Sequence, residues 1–177
     1  ADTLMPVYEA TNGKDGYVSL EINPELAYKP SETIAEGKRL YNLVKRPNLM
    51  LKVPATKEGL VAIEELTSEG MPVNVTLIFS VERYNEVQEA YIRGLERLAA
   101  SPNGEKKLAK VASVASFFVS RVDSLIDPMI ETSHPDLVGK AALANAQIAY
   151  ASYGDVFGGS RFSNLKSQGA QAQRLLW

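Results

Sequence analysis

The sequence predicts an α/β fold of parallel βα units, and three observations carry that prediction. Short β-branched segments alternate with longer segments of helical periodicity, strand then helix four times over, before a final strand. Within the strand segments, apolar and polar side chains alternate with the two-residue period of a pleated chain. With 177 residues, 45% of them hydrophobic, the chain has enough apolar surface for one domain spanning 1–177.

The elements follow in order. Ala1 to Tyr8 reads as the tail of something that precedes it, and Thr11 to Gly16 is a turn rich in Asn-Gly and Asp-Gly steps. Tyr17 to Ile22 alternates as a strand that Asn23-Pro24 stops. Pro30-Ser31 opens a helix to about Lys45, with Ser31 as a candidate N-cap. Asn48 to Ala55 is an apolar strand interrupted by Lys52, and a helix from about Glu58 ends at Gly70. The strand Val73 to Phe79 leads to Ser80, which suits the N-cap of a helix reaching about Ala99. A loop covers 101–104, Val111 to Val119 is a further strand, and two helices run from about Asp123 to Glu131 and about Pro135 to Tyr153. A Gly-Gly-Ser loop crosses 158–160, and Arg174 to Trp177 begins a last strand.

Composition removes several classes of function. Nineteen basic residues against twenty-one acidic ones, with no basic block, argue against a nucleic-acid partner or an anionic membrane surface. The absence of cysteine excludes disulfides, thiolate metal sites and a cysteine nucleophile, and the single histidine, His134, cannot build a histidine metal cluster. There is no phosphate-loop or dinucleotide glycine pattern, no signal-peptide pattern and no apolar run long enough for a membrane span. The expectation is a soluble cytoplasmic protein.

The candidate site comes from applying strand alternation to each segment. Ser19 and Glu21 share one face of the first strand, opposite Val18, Leu20 and Ile22. Lys52 faces away from Leu51 and Val53. Asn74 and Thr76 oppose Val73, Val75 and Leu77, and Ser116 opposes Ala115 and Phe117. A sheet buried on both faces would leave these polar groups costly, whereas a closed barrel gathers Glu21, Lys52, Asn74, Thr76 and Ser116 in one pocket. Desolvation there would turn Lys52 into an amine nucleophile able to form a Schiff base, with the carboxylate and a hydroxyl holding a proton-shuttling water. The alternative is a lysine at a strand end whose amine reaches water. Arg121, five residues beyond Ser116, is placed either for a substrate phosphate or for a surface pair with Asp123. His134 reads as a residue leading into a helix, Tyr150, Tyr153 and Phe157 as packing, and Lys106 and Lys107 as a solvated helix start.

The segments 15–22, 51–56, 74–80 and 114–123 resemble transaldolase, particularly its longer bacterial form, in the family's order from about Thr11 to Trp177. The resemblance implies about five strands of a (β/α)8 TIM barrel, whose flanking strands are missing at both ends. It also implies transfer of a dihydroxyacetone unit between sugar phosphates in the pentose phosphate pathway, with no metal or organic cofactor. The substrates would be fructose 6-phosphate, sedoheptulose 7-phosphate, erythrose 4-phosphate and glyceraldehyde 3-phosphate. By motif position Lys52 would form the Schiff base, Glu21 and Thr76 would position the water, Asn74 and Ser116 would bind substrate hydroxyls, and Arg121 the phosphate. The family's acid/base aspartate and a substrate-binding asparagine come from strands outside this sequence, which implies impaired turnover by these residues alone. Two other readings stand beside it: another Schiff-base aldolase of the same barrel type, and a non-catalytic barrel fragment or interaction module. Open sheet edges would be completed by the missing segments or by self-association.

Overall fold

A computed structural model describes residues 1–177. Five strands form one sheet in chain order: β1 (Val18–Glu21), β2 (Leu49–Pro54), β3 (Val73–Ile78), β4 (Ser113–Phe117) and β5 (Arg174–Leu176). All neighbouring strands are parallel, with β1 and β5 at the edges. The helices are α1 (Met5–Ala10), α2 (Pro30–Val44), α3 (Lys57–Ser68), α4 (Val81–Ala99), α5 (Gly104–Leu108), α6 (Ser120–Ile130), α7 (Ala141–Gly158) and α8 (Ser160–Ser167). Sequential parallel strands joined by helical crossovers are the arrangement of a partial (β/α)8 barrel, as expected. No helix is long and apolar enough to cross a membrane.

Local chemistry explains most boundaries. Ser80 caps α4 by accepting from the Arg83 N–H at 3.1 Å. Thr56 caps α3 in the same way through Gly59, at 2.9 Å, and its hydroxyl also donates to the Ala27 carbonyl at 2.6 Å. Gly70, with φ of +87°, turns the chain out of α3. Other boundaries differ from expectation. Lys29, not Ser31, precedes α2 without a side-chain cap; Pro30 occupies the first turn, where its missing N–H costs nothing. The segment 135–153 is a short 3-10 turn at Pro135–Leu137 followed by α7, because Gly139 at φ +73° interrupts the helix. Residues 1–10 are a 3-10 turn and α1, which place Tyr8 edge-on to Tyr17, ring centroids 5.3 Å apart. The 158–160 loop shrinks to a single extended residue, Gly159, before α8.

The helices cover one side of the sheet. Leu51, Val53, Val73, Val75, Ile78, Ala115 and Phe117 are buried there beneath Ile63, Leu66, Tyr84 and Val87. Each fully buried side chain of this size contributes about 1.5–3 kcal/mol. A second cluster joins α4, α5, α7 and α8 through Tyr91, Leu95, Leu98, Leu108, Phe157, Phe162 and Leu165. Tyr150 is not part of it: the residue is 63% exposed and stacks on Tyr153. At Gly59 a Cβ would stand 2.1 Å from the Pro54 carbonyl oxygen, so only glycine lets α3 start so close to the end of β2.

Ion pairs lace the outer helix surface. Lys38 of α2 meets Glu69 and Glu65; Glu65 takes Arg97 at 2.7 Å; Arg97 and Arg93 share Glu64; and Arg161 of α8 joins Glu89 to Glu96 at 2.7 Å each. Hydrogen bonding to Arg97 and Arg161 holds the Glu65 and Glu96 carboxyls below the ordinary glutamate value of 4.5. Their folded state therefore binds protons less readily than the unfolded chain. The stability they add is fully present above pH 4.5 and is lost as pH falls through their lowered values.

Gly59→Ala is expected to lower stability by about 1–3 kcal/mol, read as a reduced urea midpoint with an unchanged slope. Arg161→Ala should narrow the loss of thermal stability between pH 6 and pH 3 relative to the parent, and 1 M salt should shrink the difference between the two proteins.

Candidate active site

The sheet's other face carries the polar residues, and parallel pairing aligns them. Glu21 is in register with Lys52, and Lys52 with Asn74, so these three stand in one transverse row. Lys52 lies between Leu51 and Val53, both fully buried toward the helices, and this turns its side chain to the opposite face. There its Nζ meets Glu21 Oε1 at 2.5 Å.

Asn74 is held from both ends. Its Nδ2 donates to Ser19 Oγ at 2.9 Å, and its Oδ1 accepts from Ser116 Oγ at 2.9 Å. Ser19 belongs to β1 and Asn74 to β3, with β2 between them. Strands two places apart lie about 9.6 Å from each other in a flat sheet, so short side chains meet across that gap only on a concave face. The polar side is thus the inner side of the curl. Met50, Ala112 and Val114 fill its lower part, packed against Tyr17.

Thr76 follows Asn74 on the same face, in register with Pro54, and is 8% exposed. Directly after it the expected alternation fails. Leu77 adopts φ of +60° and the β3–β4 register shifts between Val75 and Ile78. Ile78, not Leu77, enters the helix-side core, while Leu77 is 42% exposed. This is a bulge in which a leucine occupies the left-handed region that bulky side chains avoid, directly beside Thr76.

Arg121 lies in the first turn of α6, just beyond the C-terminal end of β4, rather than on the strand's continuation. It does not pair with Asp123, whose carboxylate accepts from the Ala142 N–H at 3.0 Å. The guanidinium sits over the Phe118 ring, 4.7 Å from its centroid, and Phe118 packs on Phe79 at 5.1 Å. Asn145 of α7 anchors that corner by donating to the Phe79 carbonyl at 2.8 Å. A cleft of about 620 Å³ opens beside it, walled by Ser116, Phe118, Ser120, Leu176 and Trp177.

The structure therefore brings Glu21, Lys52, Asn74, Thr76 and Ser116 onto one concave face, with Arg121 at the end toward which the strands run. Asn74 and Thr76 are buried, whereas within residues 1–177 the Lys52 side chain is 30% exposed and that of Glu21 65%. Within residues 1–177 the amine is half-open and in contact with a carboxylate. Sequence reasoning placed Ser19 on the correct face but gave it no partner, since strand order and curvature decide that contact.

A family model described as transaldolase/fructose-6-phosphate aldolase matches residues 1–171. The chain belongs to the transaldolase/fructose-6-phosphate aldolase family. It is 55% identical to transaldolase 1 of Streptomyces avermitilis over 181 aligned positions, which cover the whole chain and 47% of that protein. It is 54% identical to a transaldolase of Saccharopolyspora erythraea and 51% to one of Thermobifida fusca, in each case across the whole chain and 48% of the relative. This transaldolase-family chain thus spans about half the length of the curated relatives it matches.

Leu77→Val, which adds β-branching at a left-handed position, should cost about 1–2 kcal/mol in chemical denaturation, whereas Leu77→Gly should cost little or nothing.

Proposed function

We propose that the protein to which these residues belong is a transaldolase, moving a dihydroxyacetone unit from a ketose phosphate to an aldose phosphate through a Schiff base on Lys52. The observation that carries this reading is the contact between Lys52 Nζ and Glu21 Oε1, 2.5 Å long, in a row that also holds Asn74. An ammonium must lose a proton before it can attack a carbonyl, and Glu21 is the acceptor in contact with it. The neutral amine then adds to the ketone carbon. Protonation of the resulting hydroxyl expels water and leaves an iminium.

The iminium draws electrons from the adjacent carbon–carbon bond. As the neighbouring hydroxyl gives up its proton, that bond breaks, an aldose leaves and an enamine remains on Lys52. In the family pattern an aspartate outside residues 1–177 takes this proton. Addition of the enamine to a second aldehyde forms the new bond, and water returns the lysine. Glu21 and Thr76 are suited to hold that water, Asn74 and Ser116 to bind hydroxyls of the ketose, and Arg121 to bind phosphate. Support for the last comes from its position: a guanidinium stacked on an aromatic ring keeps its N–H edge free for a bidentate acceptor. The substrate set is fructose 6-phosphate, sedoheptulose 7-phosphate, erythrose 4-phosphate and glyceraldehyde 3-phosphate, and the setting is the pentose phosphate pathway.

A second reading, cleavage without transfer, is favoured by the family's own description, which names fructose-6-phosphate aldolase beside transaldolase. Dependence of product formation on an added aldose phosphate separates the two.

Borohydride reduction in the presence of fructose 6-phosphate should leave one stable adduct, located at Lys52 by peptide mass and lost in Lys52→Ala. Glu21→Gln should slow adduct formation by about 10². A folded sample that gives no adduct, or one that still labels after Lys52→Ala, contradicts the assignment.

A further inference from the structure

We infer that Ser19 is a positioning residue: its hydroxyl fixes the carboxamide of Asn74 so that the amide can meet a ligand hydroxyl. A carboxamide offers two N–H donors and two acceptor lone pairs. In Asn74 one donor is used by Ser19 and one lone pair by Ser116, each at 2.9 Å. One donor and one acceptor remain, and their direction is set because the amide plane is pinned on both sides. With Ser116 alone, the amide would be free to swing about a single hydrogen bond.

The geometry assigns this work to a residue with little structural duty of its own. Ser19 is exposed, on an edge strand, and its side chain reaches past β2 to β3. It pairs through the backbone with Met50, one step below Lys52 on the inner face. The hydroxyl therefore links β1 to Asn74 directly beneath the Lys52–Glu21 contact. The part of this inference that concerns ligand rests on the ketose-binding reading of Asn74 proposed above.

Two measurements test it. In ¹⁵N-labelled protein the Asn74 side-chain amide, identified by its loss in Asn74→Asp, should show slowed proton exchange. That protection should fall in Ser19→Ala and return in Ser19→Thr. In borohydride trapping with fructose 6-phosphate, Ser19→Ala should raise the half-saturating ketose concentration roughly threefold to tenfold, the loss of one hydrogen bond, without changing the saturated trapping rate. Ser19→Thr should restore it, and in an Asn74→Ala background Ser19→Ala should add nothing further. An Asn74 amide indifferent to Ser19→Ala overturns the inference, as does a Ser19→Ala effect that persists undiminished without Asn74. An amide that responds in protein forming no Lys52 adduct leaves the positioning contact standing and removes the Schiff-base reading instead.

Discussion

Glu21, Lys52 and Asn74 stand in one transverse row across three strands, and parallel pairing leaves that row no freedom to drift. Slipping any of these strands by one residue would turn its polar side chain into the helix layer and bring an apolar neighbour onto the inner face. The helix side prevents the slip, because Leu51, Val53, Val73 and Val75 are completely buried there. The chemistry of the inner face is thus specified from behind. Hydrophobic burial beneath α3 and α4 fixes the register, the register fixes the row, and the row brings an amine to a carboxylate.

What could be read in the sequence follows from the range of the forces involved. Strand alternation is local, so the face of Glu21, Lys52, Asn74, Thr76 and Ser116 was legible without knowing how the strands pair. Caps are local as well, and Ser80 declared the start of α4. The bulge at Leu77 was not legible, because neither glycine nor asparagine marks it and the surrounding packing imposes it. Helix α8 was missed for a different reason: eight residues bury only Phe162 and Leu165, too few to display a period. The hydrogen bond from Ser19 to Asn74 and the stacking of Arg121 on Phe118 depend on curvature and on loop geometry, which no window of sequence contains.

The two sides of the sheet do different work. Ion pairs running from Lys38 to Arg161 join α2, α3, α4 and α8, and the two apolar clusters beneath them hold most of the buried hydrophobic side chains. The inner face has only a small apolar patch, Met50, Ala112 and Val114, and above it a band of groups whose partners are one another.

That imbalance bears on how such a surface can change. Within residues 1–177 Lys52 and Glu21 keep contact with solvent, so among these residues their replacement opens no void and strands no deeply sunken charge. Where cohesion comes from the outer layer, those inner positions can be revised with little compensation from the helices packed behind them.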